Sequence, residues 1–330
     1  MTAAKIDVLG IGNAIVDVLS RSDDAFLKKN ELAKGSMSLI DEARAEALYA
    51  SMGTGVEISG GSAANTIAGI ASFGAKGAFI GKVRDDQLGK IFAHDIRSIG
   101  VDFTTDAATS GPQTARCLVL VTPDGERTMN TFLGASQNLC VDDIDEDQVA
   151  SAQVLYLEGY LWDPVQAKEA FLKAANIAHK ASRQVTLTLS DAFCVDRYRD
   201  EFRNLLREDV DILFANEAEI MSLFKVSEFE DAVKLAAEEC KLAVLTRSEK
   251  GCVILKDNKR HEVPAVGIDE VVDTTGAGDL FAAGFLYGYT QDKPLPDCGR
   301  LGALAANEII SHIGARPEVS LSELVASRGL

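Results

Sequence analysis

From Val154 onward the chain alternates short apolar runs with longer segments of helical spacing, and this rhythm narrows the fold more than anything else in it. Residues 154–157, 185–189, 212–215 and 242–246 have the length and aliphatic content of buried strands. Between them, 164–182, 197–207, 217–224 and 228–240 read as helices, the first with a proline near its start. A helix between successive strands implies a parallel crossover, and a continuously apolar strand implies cover on both faces. The expectation is an α/β fold with a mostly parallel central sheet between two helical layers. Residues 6–11, 78–80 and 252–256 add strands, and 41–52, 62–73, 85–99, 278–289 and 295–313 add helices. The stretch before residue 135 breaks the rhythm: 114–122 and 127–133 read as strands around the turn Pro123-Asp124-Gly125.

One segment carries chemistry. Asp273-Thr274-Thr275-Gly276-Ala277-Gly278-Asp279 follows Val271-Val272, which read as a strand end, and precedes the helical stretch from Leu280. The glycines allow a tight turn whose N–H groups converge, and the helix dipole reinforces the same point. An anion is expected there, with the Asp279 carboxylate beside it. That pairing suits a general base that deprotonates an alcohol attacking a phosphoryl group. The backbone N–H groups of Gly276, Ala277 and Gly278 would hold the developing charge. The plain alternative is a strand-to-helix turn with an acidic first-turn residue.

The heptad resembles the C-terminal signature of the ribokinase-type (PfkB) family of sugar and nucleoside kinases. A distant second segment resembles the family's N-terminal signature: Gly60-Gly61-Ser62-Ala63-Ala64-Asn65 opening a helix, then Ala75 to Asp85. Within the family the chain is most similar to adenosine kinases, through Gly10-Ile11-Gly12-Asn13 with Asp17, through Leu187 to Ser190, and through Asp211 to Glu217. The resemblance implies a ribokinase-like three-layer α/β/α sandwich, one domain over 1–330, with a small β-sheet lid inserted at roughly 13–40 and 111–133. It implies ATP-dependent transfer to the 5′-hydroxyl of a purine nucleoside, adenosine foremost. Inosine, guanosine, ribose, fructose and other hexoses stay open as acceptors.

Roles follow residue by residue from the same resemblance. Asp17 would accept two hydrogen bonds from adjacent sugar hydroxyls. Asn65, Asn13 and Ser62 would contact the same sugar, with Gly60 and Gly61 letting the backbone approach. Arg127 would reach the transferred phosphate, and Leu133 and Tyr160 would flank the base. Asn216 and Glu219 would hold waters of a Mg²⁺ ion; a helix cap is the plain reading of that pair. Thr246 and Gly251 belong to a nucleotide-binding turn in which Ser248 replaces the usual glycine. Gly276 and Gly278 would also touch ATP, and Asn307 would line the adenine pocket. Asp273, Thr275 and Gly314 would surround a potassium ion.

Composition excludes several other classes. The net charge of −17 disfavours a nucleic-acid surface. Six cysteines lack zinc spacing and suit a reducing compartment. No apolar run approaches membrane-spanning length and no signal-type N-terminus stands out, so a cytoplasmic protein is expected, monomeric or homodimeric. A dinucleotide fold after Gly10-Ile11-Gly12 lacks its third glycine, position 15 being Ile. A P-loop around Gly81-Lys82 fails because Val83 follows and Lys76 stands where a glycine is needed. A non-catalytic nucleotide binder is disfavoured by the intact heptad.

Overall fold

The computed structural model describes residues 4–268 and 270–329. Its strands are β1 (Ile6–Ile11), β2 (Ile15–Arg21), β3 (Met37–Leu39), β4 (Gly55–Gly60), β5 (Gly77–Ile80), β6 (Ala115–Val121), β7 (Arg127–Phe132), β8 (Ala152–Glu158), β9 (Gln184–Thr188), β10 (Ile212–Asn216), β11 (Leu242–Thr246), β12 (Cys252–Lys256) and β13 (Lys259–Val263). Its helices are α1 (Asp24–Lys29), α2 (Glu42–Ser51), α3 (Ser62–Ser72), α4 (Gln87–Ser98), α5 (Glu146–Ser151), α6 (Val165–Lys180), α7 (Ala192–Glu208), α8 (Glu217–Phe224), α9 (Phe229–Glu239), α10 (Ala277–Thr290), α11 (Leu295–Ile309) and α12 (Leu321–Arg328).

Eight strands form the main sheet in the order β13-β12-β11-β10-β9-β8-β1-β5. From β5 to β11 every pairing is parallel, and β12 and β13 then turn back antiparallel. Period-two geometry divides its side chains between two cores. Val154 and Tyr156 pack with α3, α4, α10, α11 and α12, whereas Leu155 and Leu157 pack with α5 to α9. This is the expected α/β sandwich. It sends the loops after β1, β8, β9 and β10 to the carboxyl edge of the sheet, where open α/β folds bind ligands.

A second sheet, in the order β3-β7-β6-β2-β4, stands beside the first. β4 lies outside the two segments expected to build it. Its outer half is the reason: Val56 is 66 % exposed, so the strand shows no buried apolar run. Two other expectations fail. Val271-Val272 is not a strand end; the Val272 N–H donates to the Ile310 carbonyl at 2.9 Å, the C-terminus of α11 having captured what a ladder would need. For the same reason α11 stops at Ile309 rather than 313, the Ile310 carbonyl just beyond it being occupied by that crossing segment.

Candidate active site

Helices α3 and α10 both begin at a glycine with positive φ, Gly61 at 98° and Gly276 at 79°. They pack so closely that a Cβ on Gly69 would fall 2.5 Å from that of Ala283. Their first turns therefore meet. Ser62 Oγ donates to Asp279 Oδ1 at 2.6 Å, and Asn65 Nδ2 donates to Oδ2 at 3.1 Å. Burial pushes the Asp279 carboxyl up from its ordinary range, while Ser62, Asn65 and the charge of Arg316 oppose the shift. The heptad and the glycine-rich turn, more than two hundred residues apart, thus share one carboxylate. Ala277 N donates to the Thr274 carbonyl at 3.2 Å, which turns that amide inward. A Cβ on Gly278 would meet nothing within 4 Å, so the backbone there is open to a ligand.

Gly61 is confined by its neighbours: a Cβ would lie 2.2 Å from the Asn13 carbonyl oxygen. Gly61→Ala is expected to lose about 2–4 kcal/mol of stability, through strain at positive φ and the backbone clash together. Thermal denaturation reads this out, and an unchanged Tm would mean that the turn gives way freely.

Between the sheets lies a cavity of about 940 Å³. Alternate residues of every strand of the second sheet line it: Asp17 and Leu19 on β2, Met37 and Leu39 on β3, Val56 and Ile58 on β4, Cys117 and Val119 on β6, Arg127 and Met129 on β7. One face of that sheet therefore forms a wall, apolar except at Asp17, Arg127 and Thr131. Across it stand Asn13, Gly61, Ser62, Asn65, Leu133, Tyr160 and Asp279. Among the described residues the Asp17 carboxylate has no hydrogen-bond partner, its backbone alone being paired in the sheet. Burial raises its carboxyl to about 6, with Arg316 and Arg127 pulling down and Asp279 pushing up. Gly60 leaves room for it, since a Cβ there would sit 2.3 Å from Asp17 Oδ2. Asn65 Oδ1 and Arg127 Nη2 are buried without a protein partner.

Arg127 crosses from β7 to the heptad. Its Nη1 lies 2.8 Å from Asp273 Oδ2 and donates to Thr275 Oγ1 at 3.2 Å. Asp273 also accepts from Thr275 N at 3.0 Å, Thr275 Oγ1 at 2.8 Å and Gly314 N at 3.0 Å. The three residues expected around potassium do converge, but the carboxylate at their centre is satisfied by N–H and O–H donors. A cation at this corner would rely on carbonyl oxygens.

Asn216 and Glu219 form a reciprocal cap on α8: Asn216 N and Nδ2 donate to the carboxylate at 2.9 and 2.6 Å, and Glu219 N returns a bond to Asn216 Oδ1 at 2.9 Å. Burial pushes the Glu219 carboxyl to about 7. Thr246 ends β11 beside this cap, pairing with Asn216 in register. At Gly251 a Cβ would strike the Val263 carbonyl at 2.0 Å, so the end of the turn over 248–250 admits only glycine. Asn307 donates to the carbonyls of Val266 and Gly267 at 3.4 and 3.2 Å, holding the segment before the heptad to α11. These residues, with Gly60, Asp273, Gly276, Ala277 and Gly278, lie outside the cavity lining. Among the described residues no group of three or more His, Cys, Asp or Glu side chains is arranged to hold a metal. No helix among them is long and apolar enough to cross a membrane.

Several lining residues escaped the sequence reading, among them Glu158, Phe193 and Arg316. Glu158, at the end of β8, accepts from Asn13 Nδ2 at 2.7 Å and from Ala63 N at 2.8 Å, and burial raises its carboxyl to about 7. Asn13 Oδ1 takes a bond from Ser136 at 2.8 Å, so the Asn13 amide orders the site through protein partners. A carboxylate closing an otherwise apolar strand was the available signal for Glu158. Phe193 is 68 % exposed, with the Arg197 guanidinium 4.8 Å from its ring centre. Arg316 lines the same cavity and had no motif to mark it.

Known proteins resemble the chain closely. The family described as pfkB family carbohydrate kinase matches residues 37–321. The crystal structure of a probable sugar kinase from Rhizobium etli is 55 % identical with a TM-score of 0.92, covering 99 % of each chain. That of adenosine kinase from Sinorhizobium meliloti is 53 % identical with a TM-score of 0.91, covering 98 % of this chain and all of the other. A cytidine kinase from Thermococcus kodakarensis is 31 % identical over 79 % of this chain and 91 % of its own.

Proposed function

The chain belongs to the pfkB family of carbohydrate kinases, and from that membership we propose that it transfers the γ-phosphoryl group of ATP to the 5′-hydroxyl of a purine nucleoside, adenosine foremost. The observation that carries the substrate reading is the pairing, in one cavity, of the unpartnered Asp17 carboxylate with a broad apolar sheet face. A nucleoside offers both surfaces: vicinal hydroxyls for Asp17 and a flat base for Met37, Leu39 and Val56. A free hexose, polar all round, would leave the apolar face without a partner.

In this reading Asp279 takes the proton of the 5′-hydroxyl as its oxygen attacks phosphorus, and Ser62 and Asn65 hold the carboxylate still. Asn65 Oδ1 is ready to accept from a sugar hydroxyl. Arg127 Nη2 is ready to donate to the moving phosphoryl group, and the second sheet closes as a lid that limits hydrolysis of ATP by water. Magnesium, when bound with ATP, would neutralise phosphate charge. Asn216 and Glu219, already bonded to each other, fit the holding of its waters better than direct ligation.

The likeness to a probable sugar kinase keeps ribose, fructose and other hexoses as the second reading. Both are decided by a panel of adenosine, inosine, guanosine, cytidine, ribose and fructose with ATP and Mg²⁺, following ADP release. Adenosine is expected to exceed ribose in kcat/KM by about 100-fold or more, on the area of one buried base. A free sugar turning over best would replace the nucleoside assignment.

A further inference from the structure

Arg316 follows the Gly314 turn beyond α11. Its guanidinium is fastened on several sides. Nε and Nη2 donate to the Ser59 carbonyl at 3.0 and 2.8 Å, Nη2 to Ser59 Oγ at 3.0 Å, and Nη1 to the Ala64 carbonyl at 2.8 Å. Ser59 stands near the end of β4, and Ala64 in the first turn of α3 between Ser62 and Asn65. Two residues before Arg316, the Gly314 amide holds Asp273 of the heptad. The Arg316 side chain thus ties the second sheet to the sugar-side helix, and the Gly314 amide ties the same segment to the heptad.

Its direct acceptors are all uncharged. Among the described residues no carboxylate oxygen approaches the guanidinium within 4 Å, so no contact ion pair quenches its charge. That charge faces Asp17 and Asp279 across the cavity floor, in a medium where unpaired carboxylates are costly.

We propose that Arg316 is a positioning residue of the transfer site, clamping β4 to α3 and giving Asp17 and Asp279 one shared positive charge. The inference rests on the kinase reading above. It agrees with the electrostatics: burial is the main force raising Asp17, and Arg316 is the largest charge opposing it. Arg316 itself is lowered to about 10, chiefly by burial, and so stays cationic at neutral pH. The other groups facing this set are Arg127 and Cys117 near Asp17, and Glu158, Glu219, Tyr156 and Tyr160 near Asp279. Asp95 lies behind Ser59, accepting from its N–H at 2.8 Å and its Oγ at 2.5 Å.

The test is the pH profile of kcat/KM for wild type, Arg316→Gln, Arg316→Lys and Asp95→Asn. A carboxylate base works only when ionised, so activity falls on the acid side. Loss of the cation raises the carboxyl pKa values and moves that limb to higher pH. For a one-unit move, Arg316→Gln loses about tenfold more activity at a pH well below both pKa values than at pH 9. Arg316→Lys keeps the charge and the wild-type limb, with a lower kcat from the lost multidentate clamp. A purely mechanical role predicts the same loss at every pH and overturns the proposal. Should Arg316→Gln fail to fold, Asp95→Asn decides: removing the opposing charge moves the limb down, and an unmoved or raised limb overturns it. If wild type turns over a sugar and no nucleoside, the substrate reading fails and the same profiles are taken with that sugar. If it turns over none of them, NMR titration of the Asp17 carboxyl in wild type and Arg316→Gln replaces the rate. A higher Asp17 pKa in the variant supports the proposal, and equal values overturn it.

Discussion

Asp279→Asn is expected to lower kcat by about 10²- to 10⁴-fold, the range spanned by positioned general bases, while ATP binds within about threefold of wild type. The amide is isosteric, and it can still accept from Ser62 through its oxygen, so the turn keeps its shape. What it loses is the capacity to take a proton. Wild-type activity should fall on the acid side through a group titrating above the ordinary carboxylate range, because burial raises Asp279. The sign is fixed: the protonated acid cannot act as base, so the rate drops as pH falls through the raised pKa. Asp279→Asn should flatten that limb along with lowering the plateau. Single-turnover kinetics and nucleotide titration separate the two effects. Equal losses of ATP affinity and turnover would instead mark Asp279 as a binding residue.

Much of this site was legible because its geometry is written in local rules. The glycines at 61 and 276 announced helix starts at positive φ, and helix starts collect anions and short polar side chains. The alternation of buried strands and helices after Val154 announced the sheet, since each crossover helix leaves its own periodic trace. What stayed hidden is non-local. β4 carries no buried apolar run, because its apolar side chains Val56 and Ile58 face the cavity. The Ser62–Asp279 hydrogen bond depends on the α3–α10 approach at Gly69, which no single segment specifies. Arg316 joins Ser59 and Ala64 from the far end of the chain, a contact that only the closed tertiary structure creates. Val271-Val272 misled for a related reason: two valines fit a strand, but no free sheet edge was there to receive them.

Asp17→Ala is expected to lower kcat/KM for a ribonucleoside by about 10²- to 10⁴-fold, corresponding to two hydrogen bonds to a charged acceptor at roughly 1.5–3 kcal/mol each. The bonds should be assignable to the sugar hydroxyls by a cycle. Against wild type, 2′- and 3′-deoxynucleosides, each missing one of the two bonds, lose about 10- to 10²-fold; against Asp17→Ala they lose little, because their partner is already gone. Additive losses would place the hydroxyls elsewhere. Stability should move the other way. A carboxyl raised from 3.8 to about 6 favours the protonated form in the folded state. The fold therefore carries a penalty of about 3 kcal/mol above pH 6, which fades as pH falls toward 4. Asp17→Asn removes the penalty, so it should melt higher than wild type at pH 7.5 and nearly together with it at pH 4. The difference between the two proteins isolates Asp17 from Glu158 and Glu219, which titrate in both. A variant that is more stable and much less active is what a carboxylate kept desolvated for its ligand predicts; one that is less stable at pH 7.5 would mean that Asp17 serves the fold instead.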